Sequence, residues 1–171
     1  GMASMGCALP YAAAAQLAYP GRQCLAIAGD GGFSMLMVEL LTCVKYSLPV
    51  KVFVLKNDTL AQIKWEQMAF LGNPEYGCDL QPMDYAAFAT ACGATGLTLD
   101  DPADCAGVVE EALRTPGPVV VECVVDPHEM TMPPDVDEEQ VRNMMQALAE
   151  GEPTREMLAK HVIRERIREM I

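Results

Sequence analysis

Positive charge is scarce in this chain. Twelve Lys and Arg stand against 24 Asp and Glu, a net charge of −12. That balance argues against nucleic acid, whose binding needs a basic face, and against simple attraction to anionic lipid. Long apolar runs are also missing: none reaches the length of a membrane-spanning helix, and the first residues carry no secretory pattern. The cysteines, at 7, 24, 43, 78, 92, 105 and 123, form no CxxC pair, and His128 and His161 have no partner at metal-ligand spacing. A disulfide framework and a Cys/His metal site are therefore not expected. An odd number of thiols set mostly in apolar segments reads as buried, reduced cysteines in a cytoplasmic protein.

What is present suits a globular fold. A chain of 171 residues with 51% apolar content can bury one real core and carry a tail. Residues 7–18 are alanine-rich and predict a helix, stopped by Tyr19-Pro20-Gly21. Strand signals follow at 24–28 and 50–55, with a helical pattern over 34–46 between them. Leu36, Val38, Leu40, Leu41 and Val44 predict that this helix is buried around much of its circumference. Strand, helix and strand make a crossover unit, so the expected fold is α/β: a parallel sheet flanked by helices on both faces. Residues 58–77 read as a loop or broken helix. Beyond them, 85–92 and 102–114 read as helices, 96–99 as a short edge strand and 118–125 as a buried strand. Past Pro134 the composition turns charged and methionine-rich. The expected division is thus a domain over 1–135 and a helical extension over 136–171. Its last helix, 155–171, sets Val162, Ile163, Ile167 and Ile171 against Arg164, Arg166 and Arg168. Glu165 and Glu169 interrupt that basic face, so docking on protein is expected rather than membrane contact.

The chemistry gathers at Gly29-Asp30-Gly31-Gly32, between the first strand and the following helix. Glycines there let a phosphate approach backbone N–H groups with no Cβ in the way. Asp30 would repel that phosphate unless a cation lay between them, which points to a phosphate with a hard metal, Mg²⁺. The second strand ends at Lys56-Asn57-Asp58-Thr59. Parallel strands deliver their ends to one edge, so Asp30 and Asn57 are expected to meet and offer two oxygen ligands to one ion.

Gly-Asp-Gly-Gly followed at this interval by Asn-Asp closely resembles the diphosphate motif of thiamine diphosphate-dependent enzymes. The resemblance extends over residues 1–135: Met2 to Pro10 is similar to the segment before the family's first helix, and Pro20, Leu25 and Ile27 fall at signature positions. Gly29–Met37 and Pro118–Val125 with Met132-Pro133-Pro134 look most like the pyruvate oxidase and pyruvate:quinone dehydrogenase branch, with acetolactate synthases and simple decarboxylases as the alternative.

By that resemblance, Asp30, Asn57 and the carbonyl of Thr59 hold Mg²⁺, while Gly29, Gly31 and Gly32 bind the diphosphate. Met5 lies beneath the bent cofactor, Ser4 lies beside it, and the carbonyl of Ala3 accepts from the pyrimidine amino group. Glu66 is either a substrate-side acid or a solvated carboxylate, and Gln62 stands where the oxidases carry phenylalanine. The resemblance allows FAD in a full-length enzyme but not on this chain. It also implies a separate pyrimidine-binding domain or subunit that supplies an activating glutamate, and homo-oligomers. Without that glutamate the chain reads as the C-terminal portion of a larger enzyme, N-terminally incomplete and inactive alone. A small subunit of a two-chain decarboxylase and an inactive α/β oligomerisation module are the other readings.

Overall fold

The computed structural model describes residues 4–129, 137–153 and 155–156. Ala3, Met132-Pro133-Pro134, His161 and most of the expected final helix lie outside these residues. In chain order the elements are α1 (Ala8–Ala18), β1 (Leu25–Gly29), α2 (Asp30–Leu36), a 3-10 turn (Met37–Glu39), α3 (Leu40–Lys45), β2 (Lys51–Lys56), α4 (Ala61–Leu71), α5 (Tyr85–Ala91), β3 (Thr95–Leu99), a second 3-10 turn (Pro102–Asp104), α6 (Cys105–Arg114), β4 (Val119–Val124) and α7 (Glu138–Ala149). They form two compact units: residues 1–58 with 81–125, and residues 59–80 with 126–171. In the second of these, α7 groups with α4.

The first unit is the expected α/β fold. Its four strands are all parallel, in the order β1-β2-β4-β3. Side chains alternate across a strand. Val52, Val54 and Val120 accordingly meet Leu9, Phe33, Leu40, Cys43 and Ala89 on one face. On the other, Val119, Val121 and Cys123 join Phe53, Leu97 and Leu99 beneath Val108 and Ala112 of α6. Burial on both faces explains why β4 is a nearly unbroken apolar run. At β3 the neighbouring helix comes so close that a Cβ on Gly96 would lie 2.0 Å from the carbonyl oxygen of Ala86.

The helix expected over 34–46 differs from the pattern. It begins at Asp30 and is interrupted by the 3-10 turn at 37–39. The break rotates the stripe: Leu40 and Cys43 are buried, whereas Leu36, Val38 and Leu41 are exposed. Of the seven cysteines, all unpaired, Cys43, Cys78 and Cys123 are buried and Cys105 is exposed.

One charge is buried at the amino-terminal edge of the sheet. The Lys51 ammonium donates to the carbonyls of Thr115 and Gly117, at 2.5 and 2.6 Å, in the turn after α6. Cations suit the carbonyl-rich end of a helix. Burial nonetheless pushes the Lys51 pKa below its ordinary value.

In the second unit the segment expected as a loop or broken helix contains an unbroken one. Eleven residues make up α4, which ends at Gly72 in the left-handed conformation, φ 68°. Trp65, Met68 and Ala61 pack with Ala147, Met144 and Leu148 of α7. That contact explains why weak local periodicity still folds as helix. Asp137 and Gln140 start α7 with a capping box. Lys64 Nζ lies 2.9 Å from Glu75 Oε2, both largely buried, an ionic contact without hydrogen-bond alignment. The Glu75 N–H donates to the buried Glu152 carboxylate at 2.8 Å.

Candidate diphosphate site

The turn from β1 into α2 puts Asp30 at the carboxyl edge of the sheet. Gly29, extended at φ −68° and ψ 156°, is the N-cap and offers no side chain to the first helical amides. Asp30 takes that role. Its Oδ1 accepts the N–H of Gly31 at 2.8 Å, and its Oδ2 accepts the N–H groups of Asn57 and Asp58 at 3.0 and 2.7 Å. The expected meeting of the two strand ends is therefore present as carboxylate-to-backbone bonds. Asp58 has φ 56°, a left-handed conformation uncommon outside glycine.

A carboxylate offers about four lone-pair sites, and three are filled, so one remains for a cation. Among the described residues no group of three or more His, Cys, Asp or Glu side chains could hold a metal. A cation at Asp30 would thus rest on one carboxylate, neutral oxygens and ligand phosphates, the arrangement that suits Mg²⁺. The donor set fits the group that the motif implies.

The loop before α1 lies against the same turn. A Cβ on Gly32 would stand 3.9 Å from Met5 Cγ, so Met5 and Gly32 are neighbours, and Met5 is 54% exposed. Gly6, at φ 87°, lets the loop reverse against Met35, and the Cys7 thiol donates to the Ser4 carbonyl at 3.0 Å. Among the described residues other than its chain neighbours, nothing lies within 4 Å of a Cβ built on Gly29. Gly31, by contrast, already spends its amide on Asp30.

Three participants carried no assignment from the sequence. Lys56 ends β2 and forms a 2.9 Å ion pair with Asp58. The carboxylate of Asp58 raises the Lys56 pKa, with smaller contributions from Glu122 and Asp30 and a partial offset from burial. The buried Glu122 accepts the Tyr85 N–H at 2.6 Å, and so ties the start of α5 to the sheet. The Tyr85 ring packs edge-on to Phe33, centroids 5.7 Å apart, and its pKa is pushed up to about 12 by burial and then by the charge of Asp30. A lone Glu inside Val119-Val120-Val121-Glu122-Cys123-Val124 was the available signal, because a carboxylate inside a buried strand requires a donor.

Thr59 and Glu66 belong to the second unit. Thr59 is buried, bridges antiparallel to Asp79 and donates its hydroxyl to the Cys78 carbonyl at 3.3 Å. Glu66 sits on α4 and accepts from Gln62 at 3.1 Å. It borders a shallow groove of about 280 Å³ with Ile63, Phe70 and Leu71. The larger concavity, about 510 Å³, lies beside α1 and the β1 edge among Tyr11, Tyr19, Leu25 and Ile27. Asp30 does not line it. Volume and chemistry part company here: the convergent donors at Asp30 lie outside both concavities.

A parallel sheet whose carboxyl edge presents a glycine turn, a buried carboxylate and a facing Asn-Asp turn defines a diphosphate-binding α/β domain. The chain belongs to the family described as thiamine pyrophosphate enzyme, C-terminal TPP binding domain, whose model matches residues 1–123. It is similar to the putative thiamine pyrophosphate-containing protein YdaP of Bacillus subtilis (strain 168), with 48% identity over 124 residues, 72% of this chain and 21% of the relative. Acetolactate synthase 2, chloroplastic, of Zea mays is 34% identical over 142 residues, 78% of this chain and 22% of the relative. Among solved structures, the thiamine diphosphate-dependent 4-hydroxybenzoylformate decarboxylase of Rhodococcus jostii RHA1 matches with a TM-score of 0.67 and 26% identity, over 71% of this chain and 23% of that one. The chain spans about a fifth of the length of the curated relatives it matches. No helix among the described residues is long and apolar enough to cross a membrane.

Proposed function

We propose that this chain binds the diphosphate of thiamine diphosphate through Mg²⁺, as the C-terminal part of a 2-oxo acid decarboxylating enzyme of the pyruvate oxidase or pyruvate dehydrogenase kind. The observation that carries the reading is the Asp30 carboxylate, held by three backbone N–H groups with one lone-pair site left. Asp30 and Asn57 are the side-chain ligands, and Thr59 joins them by its motif position. Gly29, Gly31 and Gly32 receive the diphosphate. Met5 and Ser4 hold the bent cofactor, and Ala3 joins them by its motif position. When bound, thiamine diphosphate supplies the electron sink for cleavage next to a carbonyl.

This chain's own contribution is binding and orientation. Asp30 keeps the cation placed, the glycines keep Cβ atoms out of the phosphate path, and Met5 shields the ring side from water. Glu66 is proposed on the substrate side. The activating glutamate, FAD if used, and the second copy of an oligomer are assigned to other domains or chains, so this chain alone has little turnover. The unpaired cysteines support a cytoplasmic setting. Acetolactate synthesis is the second reading, favoured by the name of the Zea mays relative at 34% identity.

The test is calorimetric titration of thiamine diphosphate into the chain with and without Mg²⁺, beside Asp30→Ala. Mg²⁺-dependent heat that the substitution abolishes is the expected result. Binding indifferent to both the metal and Asp30 would overturn the assignment.

A further inference from the structure

The proposed site combines a diphosphate with a cation, yet the chain already carries a cation there. Lys56 is the last residue of β2, and its ammonium is 2.9 Å from Asp58 Oδ2. The N–H of Asp58 is in turn 2.7 Å from Asp30 Oδ2. Lys56 therefore stands two bonded contacts from the carboxylate assigned to the metal, with its side chain 16% exposed and that of Asp58 34%. The pair joins residues two apart at one strand end and ties no second element to the sheet, so packing alone leaves its position at the motif to be explained.

We infer that Lys56 is a resident cation of the diphosphate site: it binds the diphosphate beside the metal and lowers the affinity of the site for metal alone. The inference rests on the diphosphate reading above. Its physical content is a sign difference. The ammonium attracts an incoming anion and repels an incoming divalent cation, in a partly desolvated place where both effects are stronger than in water. A lysine is suited to the anion contact, being a compact point charge on a flexible stem, and phosphate oxygens can replace Asp58 as its partner. Asp58 would then be released towards solvent, at small cost because it is already one-third exposed.

The experiment compares wild type, Lys56→Met and Lys56→Arg in three titrations: Mn²⁺ alone, inorganic diphosphate without metal, and thiamine diphosphate at saturating Mg²⁺. In Lys56→Met, Mn²⁺ should bind several-fold more tightly, and thiamine diphosphate about tenfold more weakly. Metal-free binding of inorganic diphosphate should disappear, and Lys56→Arg should restore both diphosphate affinities. A merely structural ion pair would weaken metal and diphosphate together, or move neither, and either result overturns the inference. If wild type binds thiamine diphosphate with Mg²⁺ and Lys56→Met binds it equally well, Lys56 has no such role and the diphosphate reading stands. If wild type binds none at saturating Mg²⁺, that reading fails for this chain and the assignment of Lys56 falls with it.

Discussion

Asp30 and Asp58 hold one another across 28 residues of sequence: the carboxylate of the first accepts the N–H of the second at 2.7 Å. Two acidic residues are joined here through a backbone donor, so the carboxyl edge is fixed before any ligand arrives. Asp58 itself has a left-handed backbone, and its side chain pairs with Lys56.

Asp30→Asn tests this directly. Every partner of the carboxylate is a donor, so one edge of an Asn amide must face another N–H. Stability should fall by about 1–3 kcal/mol in urea unfolding, through an unsatisfied buried donor. Mg²⁺-dependent binding should be lost as well, since the amide brings no charge.

Glu122→Ala frees the Tyr85 N–H at the start of α5 and should cost about 2 kcal/mol. Tyr85→Phe should be nearly silent, because the hydroxyl is 3.5 Å from the Asp30 carbonyl, at the limit of a hydrogen bond. Tyr85→Ala should cost about 3 kcal/mol or more by emptying the contact with Phe33. Thermal unfolding of the three variants checks the order.

Cys43 makes stability depend on alkaline pH. It has no exposed surface, and burial, followed by the charge of Glu39, raises its pKa from 9.0 to about 11. A thiol that stays protonated in the fold while the unfolded chain ionises contributes its full stability below pH 9. That contribution is lost as the pH rises towards about 11, and amounts to about 2–3 kcal/mol. Lys51, with its lowered value, works in the opposite direction at high pH and offsets part of the loss. Urea unfolding at pH 8 and 10.5 should show a shallower decline for Cys43→Ala than for wild type. An unchanged decline would mean that other groups set the slope.

Gly96→Ala should be among the most disruptive single changes in the first unit. The added methyl meets the Ala86 backbone rather than a movable side chain, so β3 and α5 must separate. A loss of more than about 3 kcal/mol is expected, measurable by thermal melting.

Much of this was legible in the sequence, and for identifiable reasons. Asp30 and Asn57 could be brought together because parallel strands end at one edge, and the glycines around Asp30 advertise an approach by something without room for a Cβ. The α4 helix was obscured because Ala61, Trp65 and Met68 pack against α7, a partner remote in sequence, while Lys64 between them is buried against Glu75, so its apolar face shows no clean period. The exposed Val38 and Leu41 had the opposite problem: the spacing looked helical, but the 3-10 turn at Met37–Glu39 changed which side faced the sheet. Lys56 carries no signal in the sequence, because a lysine at a strand end usually reaches for water, whereas here it turns onto Asp58.

Two of the buried charges of the first unit lie at opposite ends of its sheet: Lys51 among the carbonyls of the turn after α6, and Asp30 among the amides at the start of α2. Variation can therefore act on the two ends separately. Drift around Lys51 changes how much folded protein a cell maintains, since modest losses of stability shift abundance several-fold. Drift around Asp30 changes what the surviving molecules can bind. Variants of the first kind should be recovered by lower growth temperature or added chaperone, whereas variants of the second kind should not.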